Sequence, residues 1–193
     1  TVRNEPEILF EGFCEKFFLE WKRIPEGANK TPDYRLQFGV SNVVFEIKQI
    51  EMLDGFDPGG VSSRTVGAHV RRLIGDARQQ LRLSAKSGIP AVLLIHNLAD
   101  PMQLFGTEPH DFLCAMYGEF TLRFTIDRFE SMFYGGNARM QKSMNTSISA
   151  VGHLKRTRGG AEVVLYENAN AKNPLPFDLL PPCIGVVRVD FEP

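Results

Sequence analysis

The sequence predicts an α/β domain, and three observations carry that prediction. Residues about 6 to 21 place Phe10, Phe13, Cys14, Phe17, Phe18 and Trp21 at helical spacing, a wide aromatic stripe. Ala91-Val92-Leu93-Leu94-Ile95 is an unbroken apolar run between Pro90 and Asn97, the pattern of a strand buried on both faces of a sheet. Between them the helical period returns from Val66 to Ala85, so helices and strands alternate through the first hundred residues.

The elements follow in order. The first helix ends before Pro25, Gly27 and Asn29, which break its period. Leu36, Phe38, Val43, Val44 and Phe45 flank Gly39-Val40-Ser41-Asn42, which predicts a hairpin turning near residues 40 and 41. Met52 to about Arg64 is rich in glycine and serine and reads as a flexible loop. The second helix carries Val66, Val70, Leu73, Ile74, Ala77 and Leu81 on its apolar face and stops at Gly88. After the buried strand, a short helix is expected over about 108–117, with Pro109 in its first turn. The rest reads as β: Phe120 to Ile126, Ser147 to Leu154, Ala161 to Tyr166 and Ile184 to Phe191, with a turn at Arg158-Gly159-Gly160 and a polar loop from Gly135 to Asn145. Residues 1–193 are expected to form a single domain, its core within about 1–100 and a β-rich elaboration over about 101–193.

Composition narrows the classes. A chain of 193 residues with 43% hydrophobic and 23% charged residues can bury a core and is not a disordered or collagen-like polymer. A net charge of −1 gives no global basic field, so any grip on phosphate must be local. Cys14, Cys114 and Cys183 lack paired spacing, which suits a reduced protein better than a disulfide scaffold or a zinc site. No apolar run approaches a membrane span, and the expectation is a cytoplasmic protein with no membrane partner. GxSxG, P-loop and dinucleotide fingerprints do not occur. His69, His96, His110 and His153 have no metal spacing.

Chemistry concentrates in the hairpin. Pro32-Asp33 opens its first strand, and Phe45-Glu46-Ile47-Lys48 forms its second. Side chains alternate along a strand, so Glu46 and Lys48 share a face. A turn near 40 and 41 sets Asp33 opposite Lys48, with Glu46 diagonal to it. Two carboxylates and an ammonium then meet at one end of a sheet, the composition of a divalent-metal site with a helper cation.

These residues resemble the PD-(D/E)xK phosphodiesterase superfamily, the restriction-endonuclease-like nucleases, over about the first hundred residues. The resemblance implies a central mixed sheet flanked by helices, in α-β-β-β-α-β order. It implies a metal-dependent nuclease, with DNA favoured over RNA as substrate, Mg²⁺ as cofactor and Mn²⁺ as substitute. Asp33 and Glu46 would hold the metal with the backbone carbonyl of Ile47, and Lys48 would orient the attacking water and stabilise phosphate charge. Members often add a carboxylate from the first helix. At 100° per residue Glu11 borders the aromatic stripe while Glu15 points to solvent, so Glu11 is preferred; Glu7 lies close to the helix start. A glutamine on the next helix is also common, and Gln80 lies at the edge of the apolar face where Gln79 points away.

Arg64, Arg71, Arg78, Lys155, Arg156 and Arg158 are the expected contacts to nucleic acid, because Lys and Arg supply most of the sequence-independent affinity for phosphate. A near-neutral domain further predicts a homodimer or a partner protein that supplies DNA binding. The rival expectation is a catalytically silent module of the same fold that binds nucleic acid or protein.

Overall fold

The computed structural model describes residues 3–25, 31–52, 63–100, 102–103 and 105–189. Most of the expected loop between Met52 and Arg64 lies outside them. Helix α1 (Glu5–Lys16) starts with a capping box: the Asn4 side chain accepts from Glu7 N–H, and the Glu7 carboxylate accepts from Asn4 N–H. Phe10, Phe13 and Cys14 form its buried stripe. The helix stops five residues short of the expected end. Phe18 adopts φ 52° and lies open to solvent, and Glu20–Arg23 becomes strand β1. Trp21 therefore packs from a strand, not from the helix.

Strands β2 (Tyr34–Phe38) and β3 (Ser41–Ile50) form the expected hairpin, joined by Gly39 and Val40 with Gly39 at φ 58°. Phe38 pairs with Ser41 and Tyr34 with Phe45, so the register differs by two residues from the predicted one. Helix α2 (Ala68–Lys86) buries Val70, Leu73, Ile74, Ala77, Leu81 and Ala85, and Gly88 at φ 78° closes it. β4 (Ala91–Asn97) is buried at every position, because it runs parallel between β3 and β7.

Helix α3 (Pro109–Tyr117) is followed by a two-stranded hairpin, β5 (Phe120–Phe124) and β6 (Phe129–Tyr134), which forms a sheet of its own. The second of these strands was not foreseen. β7 (Ala150–Thr157), β8 (Gly160–Glu167) and β9 (Ile184–Val187) return to the main sheet, whose order is β1-β2-β3-β4-β7-β8-β9. Its β3–β4, β4–β7 and β8–β9 pairs are parallel and the rest antiparallel. The C-terminal half thus completes the sheet and supplies three of its seven strands.

One face of the sheet packs α1 through Phe10, Phe13, Tyr34, Leu36, Phe45, Ile47 and Leu94. The other packs α2 and α3 through Val44, Leu73, Ile74, Leu81, Leu93, Ile95 and Phe112. Gly152 on β7 sits where an added Cβ would come within 2.7 Å of Leu94 and Leu165 side-chain atoms, so the sheet there admits no side chain. No helix among the described residues is long and apolar enough to cross a membrane. Cys14, Cys114 and Cys183 are free, and burial pushes the Cys14 thiol up to about 12.

Candidate metal centre

Strand alternation sends Phe45 and Ile47 into the α1 layer, and Glu46 and Lys48 toward α2. Continuing the β2–β3 register puts Asp33 across from Glu46, with Asp33 N–H donating to Phe45 O at 3.0 Å. Here the ladder ends. The Asp33 carboxylate takes the place of the next strand residue, and its Oδ2 accepts from Ile47 N–H at 2.7 Å. Phe45 and Ile47 thus turn their backbone groups toward β2, so the Ile47 carbonyl also lies on the Asp33 side. Lys48 Nζ lies 2.6 Å from Glu46 Oε1, and Lys48 is half-buried. The structure brings Asp33, Glu46, Ile47 and Lys48 together.

Glu46 is 1% exposed, and its Oε2 is buried with no hydrogen-bond partner among the described residues. Burial, followed by the nearby Asp33 charge, pushes its carboxyl up to about 7, while Lys48 and the Gln80 side chain act in the opposite direction. Gln80 is half-buried on α2 and within electrostatic reach of Glu46, whereas Gln79 is exposed. Asp33 is also raised, first by burial, and the Ile47 N–H and the Lys48 charge counter part of that rise. Two crowded carboxylates, one orphaned oxygen and an adjacent ammonium fit a hard divalent cation, which prefers carboxylate oxygens.

Other expected residues have other partners. Glu11 is buried in the α1 layer, where it accepts from Tyr34 Oη at 2.8 Å and pairs with Arg3 at 2.9 Å. It is not among the leading influences on Asp33 or Glu46. The α1 carboxylate that does act on Asp33 is Glu7, buried, held by Asn4 N–H and by Arg23 at 2.7 Å. The Asn4-Pro6-Glu7 capping signature in the sequence was the available signal for Glu7. Arg23 lacked one, because it sits on the unforeseen strand β1.

Arg64 is not available to phosphate. Its guanidinium joins Asp111 Oδ1 and Glu108 Oε2, each at 2.5 Å, and clamps the approach to α2 onto α3. Glu108, His110 and Asp111 are close enough together to suggest a cation site, but the Arg64 guanidinium already occupies an oxygen of both Asp111 and Glu108. Arg71 is buried and donates to Val66 O and Cys114 O. Arg156 pairs with Glu5 at 2.5 Å. Lys155 and Arg158 lie at the end of β7 and its turn. Lys48, Ile95 and His153 are in register, so His153 lies two strand spacings or roughly 10 Å from Lys48; Lys155 and Arg158 lie further out at the same end of the sheet, with Arg158 against α1. Arg78 is exposed on the flank of α2 opposite Gln80, where it lines a depression of about 210 Å³ with Arg82, Lys86 and Lys172.

Comparison with family models, with curated proteins and with solved structures finds no match to this chain, so the geometry of Asp33, Glu46 and Lys48 alone carries the functional reading.

Proposed function

We propose that this chain is a divalent-metal-dependent nuclease that hydrolyses phosphodiester bonds with Asp33, Glu46 and Lys48 at its centre. The single observation that carries the reading is Glu46: a carboxylate buried beside a second carboxylate, with one oxygen unpartnered. Such a group costs stability unless something positive binds it. A catalytically silent module gains nothing from keeping it. The element order α1-β1-β2-β3-α2-β4 supports the restriction-endonuclease-like reading. DNA is placed ahead of RNA on the resemblance alone.

Asp33, Glu46 and the Ile47 carbonyl would hold Mg²⁺ or Mn²⁺. A cation bound there supplies Lewis acidity and a water of lowered pKa. Lys48 Nζ, already beside Glu46, is placed to donate to a phosphate oxygen or to aim a water. Gln80, on α2, acts on the Glu46 carboxylate in the direction that favours its charged form. Lys155 and Arg158 offer phosphate contacts at the same end of the sheet.

The test is Mg²⁺- or Mn²⁺-dependent cleavage of a panel of single-stranded, duplex and branched DNA and of RNA. Asp33→Ala and Lys48→Ala should each lower the rate at least about 100-fold with folding retained. Equal cleavage by wild type and both variants would place the activity elsewhere.

A further inference from the structure

The β5–β6 hairpin leaves a complete apolar face in solvent. Its register pairs Phe120 with Tyr134, Leu122 with Met132 and Phe124 with Phe129, and a shift between Arg123 and Phe124 leaves Glu130 out of the pairing. Cross-strand partners share a face, so these six side chains form one apolar surface, and alternation brings Glu130 to its edge at the bulge beside Phe129. Phe120, Leu122, Phe124, Phe129 and Met132 are each at least half exposed, and Ile126 at the tip is fully so. The other face differs. It carries Thr121, Arg123, Ser131 and Phe133, with the Arg123 guanidinium 5.4 Å from the Phe133 ring centre. Only Tyr134 ties the apolar face to the main core. A lone two-stranded hairpin is marginal in water, and an apolar face of this kind marks an interaction site.

We propose that this face is a homodimer interface, packed against the same face of a second copy of the chain. Charge removes the main competitors. From Glu119 to Glu130 the hairpin carries three carboxylates against two guanidiniums, which repels phosphate backbones and anionic lipid alike. The face's one charge, Glu130 near the tip, meets no like-charge penalty where tip faces root, because a two-fold then sets it against the aromatic root of the other copy. Its layout also suits a two-fold axis. The aliphatic pair Leu122 and Met132 lies at the middle, with the aromatic pair Phe120 and Tyr134 at the root and Phe124 and Phe129 at the tip. A two-fold through the middle lays the tip rings of each copy on the root rings of the other. The area is sufficient. Six or seven side chains, each exposing roughly 100 Å², bury about 1,200–1,400 Å² in total over two copies, within the range of specific interfaces. The proposal does not depend on the nuclease reading.

Light scattering coupled to size exclusion, with analytical ultracentrifugation from about 1 to 100 μM, reads the outcome directly. Wild type should be a dimer. Leu122→Glu and Met132→Lys, at exposed positions and with unchanged melting temperature, should each be monomeric. Mixing these two variants should restore a dimer, because each central charge then meets its opposite. A monomeric wild type at 100 μM overturns the proposal, as do dimers that persist in both folded variants or a mixture that stays monomeric. Flotation of a monomeric wild type on neutral phosphatidylcholine vesicles would assign the face to lipid instead.

Discussion

The Glu46 carboxylate is almost inaccessible, with Lys48 on one oxygen, no hydrogen bond of ordinary length on the other among the described residues, Gln80 nearby, and Asp33 crowding it. A cation placed between the carboxylates would remove both the burial cost and the repulsion. Binding to the folded state alone stabilises by about 2.7 kcal/mol at a hundredfold excess over Kd, or roughly 5–10 °C in a chain of this size. Calorimetry at pH 8 should therefore show Mn²⁺ raising the melting temperature of wild type and leaving Glu46→Gln and Asp33→Asn unmoved. A full shift in Glu46→Gln would remove Glu46 from the site. The α1 carboxylates separate by the same measurement. Glu7 raises Asp33 while Glu11 is committed to Tyr34 and Arg3. Glu7→Gln keeps the capping box, since glutamine also serves there, yet should weaken the Mn²⁺ midpoint several-fold. Glu11→Gln should leave that midpoint unchanged and cost about 1 kcal/mol of stability.

At the scale of elements, Arg64 shows how a candidate contact becomes a clamp. Asp111 is wholly buried, and Arg64 is its counter-charge. Removing one partner of such a pair strands the other, so Arg64→Ala should cost about 3 kcal/mol in chemical denaturation. The salt dependence of nucleic-acid binding should stay as in wild type; a shallower slope would return Arg64 to the phosphate-contacting set. The sequence showed α2, α3 and β4 because each has an unambiguous period or a continuous apolar run. It did not show β1, since Phe17, Phe18 and Trp21 fit a helical wheel until Phe18 turns left-handed. The extra residue at Glu130 interrupts the alternation of β6 and hid that strand. The hairpin register was displaced by two residues, and the grouping of Asp33 with Glu46 and Lys48 survived because an even slip preserves the face. A slip of one would have sent them apart. Cationic residues were least legible, because the partners of Arg64 and Arg71 lie about 44 residues away in sequence.

For the whole molecule, two buried groups set opposing responses to pH. Burial lowers His153, with help from Lys155 and His96, to about 4, while His96 is itself lowered by burial. An unfolded histidine takes its proton near pH 6.5, so between there and about pH 4 the unfolded chain binds a proton that the folded chain refuses. Stability from His153 is thus lost as pH falls, by on the order of 3 kcal/mol. Glu46 acts in the other direction. Its folded carboxyl holds a proton up to about 7, well above the unfolded value, so its penalty is relieved as pH falls through the same interval. Metal-free wild type, in EDTA, should show a melting temperature nearly flat between pH 7 and 5. Glu46→Gln should expose the histidine response and lose roughly 4–8 °C over that range, and His153→Gln should expose the carboxylate response and gain stability on acidification. A wild type that falls as steeply as Glu46→Gln would mean that Glu46 titrates normally, and the main physical argument for a cation at its orphaned oxygen would go with it.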